Sequence, residues 1–131
     1  DANFPTVLFP NPEENHTLDQ AHAHAQNLKV KWVFANDPDA DRLQVSAVCA
    51  DGSFKKLSGN EMGIIFGYYS LERALQKNAN PILASSIVSS RMLKTMCEHY
   101  QATYVDGLTG FSNIIDKALS EEKKTGCELL Y

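Results

Sequence analysis

The chain has 131 residues, 44% of them hydrophobic and 21% charged, with a formal net charge of −4. That makeup belongs to a soluble globular protein holding one ordinary domain or pieces of two adjoining ones. It lacks the basic cluster that nucleic acid or an anionic membrane would call for, and no apolar run approaches the roughly 20 residues of a membrane span.

Three prolines fall in the first twelve residues, so residues 4–12 are expected to form extended loop or edge strand. The opening Asp-Ala-Asn-Phe-Pro resembles neither a signal nor a transit peptide, and the Asn15-His16-Thr17 sequon is read as chance. Thr17 is placed to cap a helix running to about residue 27, with Leu18, Ala21, His22, Ala25 and Leu28 on its apolar face. His22 and His24 lie about 200° apart around such a helix and cannot share a metal, so the early histidines are assigned structural roles.

Residues 30–35 read as a buried strand and residues 43–49 as a second one. Ala50-Asp51-Gly52-Ser53 supplies turn chemistry before a short strand over 54–57. Ser58 and Glu61 form a capping box for the strongest helix, from 59 to about 76, with Met62, Ile65, Phe66, Tyr69, Leu71 and Leu75 apolar. Asn78-Ala79-Asn80-Pro81 ends it.

From there strand and helix alternate: strand 82–86, helix 89–100 on Met92, Leu93, Met96 and Cys97, strand 103–105, loop 106–110, helix 111–123 on Ile114, Ile115, Ala118 and Leu119, and an apolar strand from 127. Such alternation predicts an α/β fold, a parallel or mixed sheet with helices on its faces, hence three α/β/α layers. The chain stops in the last strand, so a fragment is expected. Cys49, Cys97 and Cys127 are an odd, widely spaced set, which predicts unpaired thiols in a reducing compartment and a cytoplasmic location.

The chemistry is concentrated in Asn36-Asp37-Pro38-Asp39-Ala40-Asp41-Arg42, between the first two strands. Two carboxylates about 4 Å apart repel by roughly 4 kcal/mol at an effective dielectric near 20, so three of them between apolar strands imply a cation. Carboxylate oxygens are hard donors, which favours Mg²⁺, Mn²⁺ or Ca²⁺. Arg42 adds a planar donor suited to phosphate or carboxylate. An EF-hand register fails, because Arg42 stands where Gly is required and Val48 where the bidentate Glu belongs. A Mn²⁺-dependent glycosyltransferase would use an Asp-x-Asp pair but leave the third Asp and Arg42 idle. A non-catalytic cation-binding module or a solvated acidic turn are the remaining alternatives. Thr109-Gly110 precedes a helix and reads either as its cap or as a contact for an anion. Ser85, Ser86, Ser89 and Ser90 have no basic partner nearby and are read as caps.

Four stretches carry a resemblance to a known family: Phe4-Pro5-Thr6-Val7 with Pro10-Asn11-Pro12-Glu13-Glu14, then Ala35 through Leu43, then Ser58-Gly59-Asn60-Glu61-Met62-Gly63, and last Val88-Ser89-Ser90-Arg91 with Leu108-Thr109-Gly110-Phe111. In this order they resemble the α-D-phosphohexomutases, the phosphoglucomutases and phosphomannomutases, nearest the branch with phosphoglucomutase-2-like and phosphopentomutase enzymes. The resemblance implies a fragment of a four-domain enzyme: residues 1–57 as the later part of domain II and residues 58–131 as most of domain III. It implies Mg²⁺ on Asp37, Asp39 and Asp41, Arg42 steadying the transferred phosphoryl, and Thr109 and Gly110 on the sugar side. The partners it implies are a sugar phosphate and the missing domains of the parent chain. Ser112 departs from the branch, which usually has Lys there. With the phosphoserine loop and the sugar-recognition loop absent, the chain alone is expected to bind Mg²⁺ weakly and to be inactive.

Overall fold

Described over residues 4–131 in a computed structural model, the chain divides between Ser58 and Gly59 into two units. In the first, the prolines at 5, 10 and 12 keep the opening segment out of the sheet, and it runs as a series of turns with Pro12 buried. Helix α1 (Asp19–Leu28) follows, then the strands β1 (Trp32–Asn36), β2 (Leu43–Val48) and β3 (Phe54–Lys56), an antiparallel sheet in that order. Trp32 pairs with Ala47 and Asn36 with Leu43, so the acidic loop is the connection of the β1–β2 hairpin.

Helix α1 covers one sheet face with Leu18 and Ala25, opposite Val33 and Ser46. The expected cap does not form. The cap position is Leu18 with no side-chain bond, because residues 14–17 are spent on a turn with His16 in the left-handed region (φ 65°). Leu28, expected on the apolar face, is exposed. Alternation makes β1 one-sided, with Val33 buried while Trp32 and Phe34 are exposed on the other face.

His22 does take a structural role. Its Nε2 lies 2.9 Å from the buried Ser46 hydroxyl, and its ring stacks on Phe54 with centroids 5.1 Å apart. Burial lowers the pKa of this imidazole below its ordinary value, Asp19 opposes that, and Lys56 adds to it. A histidine kept neutral by folding binds fewer protons in the native than in the unfolded state, so its contribution is complete above the unfolded pKa near 6.5 and lost as pH falls below it. We therefore expect the urea midpoint of the first unit, read by Trp32 fluorescence, to fall between pH 7.5 and 5.5. The fall should be smaller in His22→Gln, and an equal fall in that variant would refute the assignment.

The second unit is the three-layer part. Helix α2 (Gly59–Gln76), strand β4 (Pro81–Ser86), helix α3 (Met92–Tyr100), strand β5 (Thr103–Gly107), helix α4 (Phe111–Thr125) and strand β6 (Glu128–Leu129) form a parallel sheet in the order β5-β4-β6, flanked by helices. Pro81 opens β4, where its missing N–H removes no ladder bond from the strand interior. Leu83 meets Leu71, Leu93 and Cys97 from α2 and α3, while Ile82 and Ala84 meet Val105 and Ala118 beside α4. One strand thus feeds two cores on opposite faces, as period-2 alternation requires. Burial raises the Cys97 thiol to about 11, with the Glu98 charge contributing. All three cysteines are unpaired.

Two expectations for this unit change. Helix α2 has the expected span but buries Gly67, Leu71 and Ala74 and leaves Ile65, Phe66 and Tyr69 exposed. Small residues let it approach α3: a Cβ at Gly67 would run into the Leu93 side chain. Helix α3 starts at Met92, three residues later than expected, because residues 87–90 make a turn tied back to the end of β4, with the Ser86 and Ser89 hydroxyls paired at 2.8 Å. Met92, expected in the core, is exposed, and so is Leu119 of α4. No helix among the described residues is long and apolar enough to cross a membrane.

Candidate metal centre

The loop joining β1 to β2 is short and strongly self-bonded. Pro38 sits at the second position of a tight turn closed by the Ala40 N–H on the Asp37 carbonyl at 3.0 Å. Ala40 adopts the left-handed conformation (φ 59°), a departure of about 1–2 kcal/mol for an L residue with a Cβ. That reversal turns Asp41 back toward Asp37. Asp37, Asp39 and Asp41 each offer a carboxylate oxygen, and these lie within 4.8 Å of one another.

The three carboxylates are unequal. Asp37 is buried, while Asp39 and Asp41 are exposed. Burial pushes the Asp37 carboxyl up, but the Arg42 backbone N–H at 3.1 Å, the Arg42 guanidinium and a hydrogen bond with Asp41 outweigh it and hold it at about 2. The Arg42 Nε donates to Asp37 Oδ2 at 2.6 Å and lies 3.6 Å from Asp41 Oδ1. Asp41 is raised, first by its hydrogen bond with Asp37 and then by the charges of Asp37 and Asp39. Three carboxylates with oxygens within 4.8 Å of one another are held closer than their charges favour, and one cation between them relieves this.

The donor set fits such a cation. At metal–oxygen distances of about 2.1 Å, ligands on one octahedral face are about 3 Å apart, so these three oxygens reach one face by drawing together and leave the opposite face open. The all-carboxylate set favours a hard ion over zinc or copper.

Asp37, Asp39, Asp41 and Arg42 thus come together in the first unit. Thr109 and Gly110 belong to the second, on the loop between β5 and α4. Thr109 is exposed and does not cap α4; Gly110 occupies the cap position at φ 116° with no side-chain bond, and Asn113 Nδ2 donates to the Thr109 carbonyl at 3.0 Å. Ser112 is exposed on the first turn of α4. Of the four serines read as caps, Ser90 accepts the Met92 N–H at 3.2 Å, whereas Ser85 bonds the Tyr104 hydroxyl and Ser86 pairs with Ser89, both at 2.8 Å.

Two groups near the loop were not assigned a role from sequence. Asn36 Nδ2 donates to the Arg42 carbonyl at 2.9 Å, across the loop base. Lys56 Nζ donates to the carbonyls of Glu13 at 2.9 Å and Glu14 at 2.7 Å, fastening the proline-rich turn to β3. An Asn at a strand end before a turn is a recognisable signal for the first; nothing local marks the second.

Residues 1–49 match the family model described as phosphoglucomutase/phosphomannomutase, alpha/beta/alpha domain II, and residues 58–129 match the model for domain III. The chain is 40% identical over 131 residues to a phosphoribomutase of Saccharomyces cerevisiae, with 95% of this chain and 21% of the relative covered. It is 42% identical over 114 residues to a probable phosphomannomutase of Haemophilus influenzae, covering 87% and 23%. A mouse phosphopentomutase is 37% identical over 134 residues, covering 95% and 22%. The chain therefore spans about a fifth of the length of these relatives. In fold it is similar to a phosphoglucomutase/phosphomannomutase family protein of Burkholderia thailandensis, with a TM-score of 0.65 at 20% identity over 99% of this chain and 26% of that one.

Proposed function

This chain belongs to the phosphoglucomutase/phosphomannomutase family, and from that footing we propose that it carries the metal loop of a Mg²⁺-dependent phosphosugar mutase. The reaction moves a phosphoryl group between C1 and C6 of a hexose, or C1 and C5 of a pentose, through a phosphoserine on the parent chain and a bisphosphate intermediate. The observation that carries this reading is the triad itself, three carboxylate oxygens within 4.8 Å of one another in a hairpin loop. Similarity to mutases named for ribose, pentose and mannose phosphates supports the substrate class. The same matches favour a mutase over the glycosyltransferase alternative.

In this proposal Asp37, Asp39 and Asp41 hold the ion. When bound, Mg²⁺ draws charge from the phosphoryl oxygens. Asp37 enters with its carboxyl already ionised and oriented by Arg42, so no proton has to leave it at neutral pH. Arg42 is half exposed, and its guanidinium offers further donors to a phosphoryl oxygen beyond the Nε given to Asp37. Thr109 and Gly110 contact the sugar from the β5–α4 loop. Positioning and electrostatics carry most of a phosphoryl transfer, which suits residues that neither attack nor shuttle protons. Residues 1–57 are assigned to domain II and 58–131 to domain III of a cytoplasmic enzyme.

The test is an assay of the full-length parent protein with glucose 1-phosphate, mannose 1-phosphate and ribose 1-phosphate. We expect turnover of at least one, abolished by EDTA and restored by Mg²⁺, and none from the 131-residue chain alone. Turnover that survives thorough metal removal would refute the metal role, and inactivity on all three sugars would refute the mutase.

A further inference from the structure

The acidic loop is under two disruptive forces. Its three like charges repel, and Ala40 is held in a left-handed conformation that an L residue leaves when it can. Four hydrogen bonds oppose them. The Ala40 N–H on the Asp37 carbonyl shapes the turn, the Arg42 N–H and Nε both end on the Asp37 carboxylate, and Asn36 Nδ2 donates to the Arg42 carbonyl. Two of the four thus depend on a carboxylate that is itself one of the cation's ligands, whose electron pairs are partly withdrawn when an ion arrives. The Asn36 bond has neither partner in the donor set. It spans the loop base at the last rung of the hairpin, where Asn36 faces Leu43.

We propose that Asn36 is a positioning residue whose amide crosslink holds the three carboxylates in their cation-receiving arrangement before any ion binds. This inference rests on the metal role proposed for Asp37, Asp39 and Asp41. Asn36 is exposed, so its hydrogen bond adds little to the hydrophobic core; its consequence is geometric. Mg²⁺ demands near-ideal octahedral positions, whereas Ca²⁺ accepts irregular ones. A loop freed at its base should therefore lose Mg²⁺ more than Ca²⁺. Partners that orient metal ligands from outside the donor set typically account for about 10–100-fold in affinity.

The experiment is an NMR titration of the 131-residue chain with Mg²⁺ and separately with Ca²⁺, comparing the parent sequence, Asn36→Ala and Asn36→Asp. In Asn36→Ala the Mg²⁺ affinity should fall about 10-fold and the Ca²⁺ affinity less than about 3-fold. Without metal, the Ala40 and Arg42 amides should exchange faster in that variant while those of Val45 and Ser46, inside β2, keep their protection. Asn36→Asp preserves shape, removes the donor and adds a negative charge. Simple attraction would make it bind Mg²⁺ more tightly than the parent, and loss of the crosslink predicts that it does not. Mg²⁺ binding by Asn36→Ala within about twofold of the parent, or tighter binding by Asn36→Asp, overturns the proposal alone. Failure of the unsubstituted 131-residue chain to bind either ion overturns the metal role and this inference with it.

Discussion

Replacing Asp39 by Asn in the full-length protein is expected to lower mutase turnover by about 10²–10³-fold, the usual effect of removing one preorganised electrostatic contact to a transition state. The substitution keeps the side chain's size and exchanges a charged oxygen for a neutral one, a poorer donor to a hard cation. Asp39 suits this test better than its neighbours. It is exposed, and the hydrogen bonds that shape the loop run through Asn36, Asp37, Ala40 and Arg42. Asn at an exposed site should change stability by no more than about 0.5 kcal/mol, so the melting temperature should move only a degree or two. Excess Mg²⁺ should recover part of the turnover. Full activity in Asp39→Asn would return the loop to the status of a non-catalytic cation-binding module. Asp37→Asn would not discriminate, because it removes the partner of Arg42 from a buried position.

Leu83→Ala should give the largest loss of stability, about 3 kcal/mol within a usual range of 2–5. Leu83 is wholly buried in β4 and touches Leu71, Leu93 and Cys97, so truncation leaves a cavity bounded by two helices. The tight approach of α2 at Gly67 opposes collapse into it. With a urea m-value of about 1–3 kcal/mol/M, the midpoint should fall by roughly 1–3 M. All five tyrosines lie in the second unit and the single tryptophan in the first, so tyrosine emission follows the affected unit. A loss below about 1 kcal/mol would show that β4 is not the centre of two cores.

Much of the candidate site is legible in the sequence because its chemistry is local. Three carboxylates at alternate positions can be counted without knowing the fold, and the flanking apolar runs show that the loop joins two strands. The span of α2 was legible for the same reason, since Ser58 before it and Asn78 after it are short-range signals. What could not be read is orientation. Helix α2 has more apolar residues than one stripe can hold, and only its packing against β4 and α3 selects Leu71 and Ala74 over Phe66 and Tyr69. The late start of α3 depends on hydroxyl pairs among four serines, any of which could have capped it. The two kinds of sheet follow from local signals as well: turn residues between β1, β2 and β3 allow antiparallel pairing, and strand–helix alternation in the second half gives the parallel order β5-β4-β6.

Cys97 has a kinetic consequence. Its thiol is fully buried between α2, α3 and β4, and burial keeps it protonated well above neutral pH. A thiolate-selective reagent can reach it only when those layers part, so the labelling rate measures how often the core opens. Cys49 lies exposed at the end of the hairpin in the other unit and reacts without such an event. A single alkylation time course, resolved by peptide mass, therefore yields the opening free energy of the Leu83 core with an internal control for reagent, pH and temperature.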